Sequence, residues 1–348
     1  MPMARGAWSR GRPVPPPIME RMHLVAITSF IAGLIVVIVG AELIVRGGSR
    51  VGALLGVSPM VLGLTVVAIG TSTPELAVGL TAAAEGNGGL AVGNIAGTNI
   101  VNILLILGLS AWIMPLKVQL LSLKLDLPVM VGSALALLWM AWDGLLSRQE
   151  GAWMVAASVL YTIAMVRLSR RESLPMQQEF SREYSAKNIL PRVATLQGTV
   201  SVLMLAAGIV VAVVGAELLV SGAVDIAKSL GVSDAVVGLT IVAIGTSAPE
   251  LATTIMGTLK NERDIAIGNL IGSSTYNILF ILGATCLASP AGVPVDASLR
   301  YIDLPLAALV ALVCVPVFAS DRLISRKEGA CFVAAYAVYL GTLIFWRA

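Results

Sequence analysis

The chain is short of charge and nearly empty of the side chains that most enzymes use. Only 12% of its 348 residues are Asp, Glu, Lys or Arg, against roughly 25% in a soluble domain. That deficit excludes an ordinary water-soluble globule. A single histidine, His23, is present, so neither a histidine-based metal site nor a nucleophile–His pairing is available. The three cysteines, Cys286, Cys314 and Cys331, lie in apolar runs without paired spacing, which reads as small buried hydrophobes rather than disulfides or metal ligands. No phosphate-cradling loop appears, and a net charge of +3 carried in loops gives no basis for a nucleic-acid partner. These absences together argue against an enzyme.

What fills the chain is apolar: 57% hydrophobic residues and a mean hydropathy of +0.90. Runs of about 20 apolar residues, long enough to cross a bilayer, are set off by polar or Gly/Pro-rich breaks. The expected spans are 24–46, 55–83, 89–113, 123–143 and 151–168, then 196–222, 231–258, 264–287, 301–319 and 328–346. The reading is an all-α integral membrane protein with ten transmembrane helices. Residues 1–22 form an N-terminal extension, disordered or non-native, with translation starting at Met19 or Met22. Residues 23–168 and 196–348 are two five-helix units, and 169–195 is the one long polar connection.

The two units repeat one another. VLGLTVVAIGTSTPELA at 61–77 answers VVGLTIVAIGTSAPELA at 236–252, with 14 of 17 positions identical at an offset of 175 (236 − 61). GAELIVRG at 40–47 answers GAELLVSG at 215–222, and GNIAGTNIVNILLILG at 93–108 answers GNLIGSSTYNILFILG at 268–283. An odd number of spans per unit forces the second unit into the membrane upside down, an inverted repeat. Connections on the side of the 169–195 loop hold 15 Lys/Arg and the other side 8, four of them in the N-terminal extension. This bias puts the long loop in the cytoplasm and both termini outside. The loop's basic residues Arg170 and Arg171, with Arg167 beside them, suit anionic lipid.

Pro74 and Pro249 fall in mid-span, where a missing N–H frees carbonyls one turn back, around 68–71 and 243–246. Freed backbone groups at membrane depth must be buried in protein or face a wet cavity. Ser72 and Glu75, like Ser247 and Glu250, are three apart and share a helix face. Carboxylate, hydroxyl and unwound carbonyl make an oxygen set suited to a hard cation such as Ca²⁺ or Na⁺. A carboxylate at mid-membrane costs about 2.5–3.5 kcal/mol, and no Lys or Arg lies within these spans or their neighbours except at the ends. A mobile cation is then the available counter-charge. Thr98 with Asn102, and Ser273 with Asn277, add polar faces to the third and eighth spans. Glu42 and Glu217 are weaker candidates with a gating or structural role, Glu42 pairing with Arg46 one turn on. Asp126, Asp143, Asp303 and Asp321 are read as interfacial, and Trp112, Trp139, Trp142, Tyr301 and Tyr339 as interface belts.

With its two GTSxPEL and two GNxxG[TS]xxxN motifs, the chain resembles the cation/calcium exchanger superfamily, and within it the prokaryotic sodium/calcium antiporters, over all ten spans. The resemblance implies alternating access, with Glu75 and Glu250 binding Ca²⁺ beside the backbone oxygens of Thr71 and Thr246. It also implies Na⁺ at that region and at two flanking sites, one built from Ala68, Ser72 and Ser273, the other from Ala243, Ser247 and Thr98. Asn102 and Asn277 would line the middle, while the first and sixth helices, carrying Glu42 and Glu217, would slide. Potassium-dependent relatives carry Asp where this chain has Asn277, which implies potassium-independent exchange. The expected function is Ca²⁺/Na⁺ antiport by a monomer, with no cofactor beyond the transported ions. A Ca²⁺/H⁺ or other divalent/proton antiporter is the alternative, followed by a passive cation channel and, last, a membrane enzyme.

Overall fold

The structure is a computed structural model that describes residues 16–55, 59–86, 88–120, 122–172, 191–229 and 243–346. It is mostly helical. We number the elements α1 Pro16–Leu55, α2 Met60–Thr71, α3 Thr73–Ala84, α4 Gly88–Ile113, α5 Ser122–Asp143 and α6 Arg148–Glu172. After the long connection come α7 Pro191–Ser229, α8 Ala243–Thr246, α9 Ala248–Leu259, α10 Arg263–Ala288, α11 Leu299–Ala319 and α12 Arg326–Trp346. Among the described residues seven helices are long and apolar enough to cross a membrane, or eight if α2 and α3, bent by 44°, form one span. Of the ten expected spans, 231–258 is described only from residue 243 and 328–346 corresponds to α12. Helix α1 begins inside the expected 1–22 extension, whose residues 1–15 lie outside the described residues, as do 173–190 of the 169–195 connection.

Among the described residues four two-residue strands qualify the all-helical expectation. β1 (Leu116–Lys117) pairs antiparallel with β4 (Leu323–Ile324), and β2 (Leu145–Leu146) with β3 (Val293–Pro294). Each ladder ties a connection in the first half to one in the second. Other contacts also come in pairs matched by the repeat. A Cβ on Gly108 would stand 3.0 Å from the Gly329 carbonyl oxygen, and one on Gly283 would stand 3.0 Å from that of Gly151.

Helices α1 and α7 pack along most of their lengths. Gly33, Gly40 and Gly47 on α1 face Leu219, Ala212 and Leu205, while Gly208, Gly215 and Gly222 on α7 face Ile44, Val37 and Phe30. Rising numbers on one helix meet falling numbers on the other, so the two run antiparallel. Glycines seven apart lie on one stripe, and without side chains there the backbones approach closely; a Cβ on Gly208 would sit 2.7 Å from the Ile44 nitrogen. The main core instead surrounds α4 and α10, whose interior positions from Ile265 to Tyr276 are all buried. Helix α2 lies against α10, with Gly268 and Gly272 facing the backbone of Met60 and Leu64.

Two expectations about polar residues need correction. Asp126 and Asp303 are buried rather than interfacial. Asp126 Oδ1 accepts a bond from the Tyr161 hydroxyl at 2.9 Å, because the π-helical turn Ser122–Asp126 turns it inward against α6. Cys331 is exposed, while Cys286 and Cys314 are buried as expected. Trp112, Trp139, Trp142 and Tyr301 are exposed, in keeping with the belt reading.

Candidate cation site

The break in the second span falls at Ser72, whose φ of −82° and ψ of 16° leave the helical region. Pro74 then occupies the first turn of α3, where its missing N–H costs nothing further. Pro249 holds the same place in α9, following Ser247 at φ −84° and ψ 8°. The freed carbonyls are fewer than expected. Ala68 O still accepts the Ser72 N–H at 3.1 Å, and Gly70 O, which would have bonded residue 74, accepts the Thr73 hydroxyl at 2.7 Å. Ala248 replaces Thr73 in the second copy and has no hydroxyl for this.

Both breaks meet at the centre. Glu75 and Glu250 are each 0% exposed, and their carboxylates lie close enough to repel one another. Ser72 Oγ, from the first motif, donates to Glu250 Oε1, from the second, at 2.9 Å. Ser273 Oγ donates to Ala68 O at 3.5 Å, linking α10 to the first break. Among the described residues the ion pairs formed by Glu42 involve neither central carboxylate, and Glu75 and Glu250 form no ion pair with a described Lys or Arg. Both Glu75 oxygens, Glu250 Oε2, Ser247 Oγ, the amide of Asn102 and Asn277 Oδ1 are buried without a hydrogen-bond partner. Buried polar groups are ordinarily satisfied. So many unsatisfied atoms, mostly oxygens and gathered around two carboxyl groups, form a donor set of the kind that suits a hard cation.

Thr71 and Thr98 are buried, Thr246 is half-buried, and Ala243 opens α8. No cluster of three His, Cys, Asp or Glu exists among the described residues; hydroxyls, amides and carbonyls supply the other oxygens.

Three residues were missed by the sequence reading. Asn269 accepts from the Thr71 hydroxyl at 3.2 Å and donates to Thr254 Oγ1 at 3.2 Å and to the Glu250 carbonyl at 3.5 Å. It is thus the clamp that fixes both broken segments against α10. In the other half the counterpart of Thr254 is Gly79, which has no hydroxyl, and the Nδ2 of Asn94, the counterpart of Asn269, is unpartnered. The recurrence of Gly-Asn at 93–94 and 268–269 was the available signal. Asn99 donates to the Ser274 carbonyl at 2.9 Å and accepts from Asn277 Nδ2 at 3.1 Å; Asn99 and Ser274 are counterparts, so the repeat touches itself there. π-helical turns begin at Val101 and at Asn277. The widened turn, common at functional sites, carries the two asparagines, and no residue pattern announces it.

Fold and site together define a multi-pass membrane protein with a charged, oxygen-lined centre. The profile of the family described as sodium/calcium exchanger protein matches residues 25–167 and 200–345. The chain belongs to the sodium/calcium exchanger family, whose members are transporters, and is a cation/calcium antiporter at that level. It is 39% identical to the putative antiporter CaxA of Alkalimonas amylolytica, over 91% of this chain and 98% of that protein. It is 30% identical to the sodium/calcium exchanger MaX1 of Methanosarcina acetivorans, over 90% and 97%. The solved structure of the sodium-calcium exchanger NCX_Mj superposes with a TM-score of 0.78 at 30% identity, covering 92% of this chain and 99% of that one.

Proposed function

We propose that this protein exchanges Ca²⁺ for Na⁺ by alternating access, independently of K⁺. The observation that carries the reading is the pair of buried carboxylates with unpartnered oxygens and no fixed cation. One Ca²⁺ would cancel the formal charge of −2 and take oxygens from Glu75, Glu250, Thr71 and Thr246, with Asn102 and Asn277 lining the middle. Na⁺ would use the same region and flanking sites at Ala68, Ser72 and Ser273 and at Ala243, Ser247 and Thr98. An empty site would be reluctant to switch sides, because two uncompensated charges in a low-dielectric interior cost several kcal/mol each, about 2.5–3.5 on an insertion scale. Filling by either ion removes that barrier and couples the two fluxes.

The proposed architecture is ten helices in two inverted five-helix units. The antiparallel run of α1 and α7 and the matched glycine contacts Gly108–Gly329 and Gly283–Gly151 support it. So does the ladder pattern, β1 with β4 and β2 with β3, which joins connections expected on the same side. The orientation follows from the arginine and lysine bias: long loop cytoplasmic, termini outside, in the inner membrane of a prokaryote. The monomer is the functional unit, since both halves of the site come from one chain.

Purified protein in vesicles, loaded with radiolabelled calcium and exposed to Na⁺, K⁺ or H⁺ gradients one at a time, tests this. Flux driven by sodium at clamped pH is the expected result. Flux that follows only the proton gradient would replace sodium by protons, and flux that needs no trans ion would mean a channel.

A further inference from the structure

The repeat is nearly symmetric at the site but not at the ends of the helices that flank it. Glu42 on α1 pairs with Arg46 and, across 2.5 Å, with Lys260 just beyond the end of α9. The counterpart of Glu42 is Glu217, of Arg46 is Ser221, and of Lys260 is Glu85, all at the offset of 175 with no insertion between the flanking motifs. A cation bridge in one half is therefore matched by two acids in the other.

The packing is asymmetric in the same sense. Helix α1 lies along α9, where Val37 and Ala216 cover Ala248, with Ala252 packed against them. Its counterpart α7 makes no comparable contact with α3 among the described residues. As a result Thr73, Ala77, Leu80 and Thr81 are exposed, although their counterparts Ala248, Ala252, Ile255 and Met256 are buried or half-buried. The uncovered face of α3 is the berth that α7 would occupy if the α1–α7 pair moved to the mirror position. In that position Glu217 would be brought to Glu85, and nothing on α7 replaces Arg46.

We propose that Lys260 is a positioning residue: its ion pair with Glu42 holds α1 on α9 and biases the protein toward the state in which the α3 face is open. The inference rests on the alternating-access reading, and it adds that the two states are unequal because of residues outside the ion site. Ion occupancy sets when the helices move; this latch sets which end they favour at rest. The driving ion does not enter the argument.

Cysteine reporters at Thr81→Cys and Met256→Cys, each in a Cys331→Ser background that leaves only the buried Cys286 and Cys314 besides, read the two berths by their rates of maleimide labelling. With Lys260 intact, position 81 labels faster than 256. Lys260→Glu should lower the ratio of the two rates by about fivefold, the upper range for a partly exposed ion pair. Glu85→Lys, which builds the missing bridge at an exposed position, should shift the ratio in the same direction without touching α1. The double variant Glu42→Lys with Lys260→Glu should restore the original ratio. Ratios unmoved by Lys260→Glu and Glu85→Lys, or a double variant as shifted as the single one, would overturn the latch. Calcium flux in the same vesicles separates the two claims. If the exchange reading is wrong, flux ignores sodium while the labelling still shifts; if the latch is wrong, sodium drives flux and the labelling stays put.

Discussion

Replacing Glu250 by Gln removes one unit of charge and almost no volume. The Gln carbonyl can still accept the Ser72 hydroxyl that now bonds Glu250 Oε1 at 2.9 Å, so the bridge between the two broken helices persists. What changes is the charge balance. In the proposed site two carboxylates would cancel one Ca²⁺, and one carboxylate would leave a net positive charge buried near Thr71, Ser72 and Asn269. Leaving a buried charge without its partner costs about 3–5 kcal/mol, and at about 1.4 kcal/mol per decade that weakens calcium binding by about 10²–10⁴-fold. A single Na⁺ would still be balanced by Glu75. The variant should therefore lose calcium while keeping a sodium response, a reversal of preference rather than a general loss. Calorimetric titration of the purified protein with each ion in turn measures both, and a size-exclusion profile like that of the unmodified protein confirms the fold. Unchanged calcium affinity would refute the charge-balance argument and the assignment of Glu250 with it.

Two further outcomes are expected. Asn269→Ala leaves the Thr254 hydroxyl and the Glu250 carbonyl without their amide, at about 1–3 kcal/mol for each unsatisfied buried group; a lowered melting temperature in detergent, with weakened calcium binding because both broken segments loosen, checks it. Gly40→Leu forces a side chain into the backbone of Ala212 on α7, and overpacking of about 1–3 kcal/mol falls on the α1–α7 seam rather than on the site. Calcium binding should survive while flux falls, measured by titration and by vesicle uptake; equal loss of both would mean that the seam and the site are one unit.

Much of the site was legible because the chain states it twice. The matched GTSxPEL motifs, the acids three residues after a serine and the absence of interior Lys or Arg all follow from composition and spacing, and all concern groups that are costly in hydrocarbon. Asn269 was less legible, since a Gly-Asn pair on an apolar helix reads as packing until Thr71 and Thr254 are seen on either side of it. The glycines seven apart on α1 and α7 were readable in principle, and their meaning needed the partner helix.

The sequence alone determined that this is a duplicated membrane protein, that each half breaks a helix beside a carboxylate, and that no basic residue waits there to neutralise it. Only the tertiary structure decided which halves touch. Ser72 crosses to Glu250, Lys260 crosses to Glu42, and α1 rather than α7 covers its berth. Local chemistry sets what each segment tolerates, but a pairing across some 200 positions of chain has no local signature. It emerges when inverted halves close on each other and each unsatisfied group meets whatever the opposite half presents.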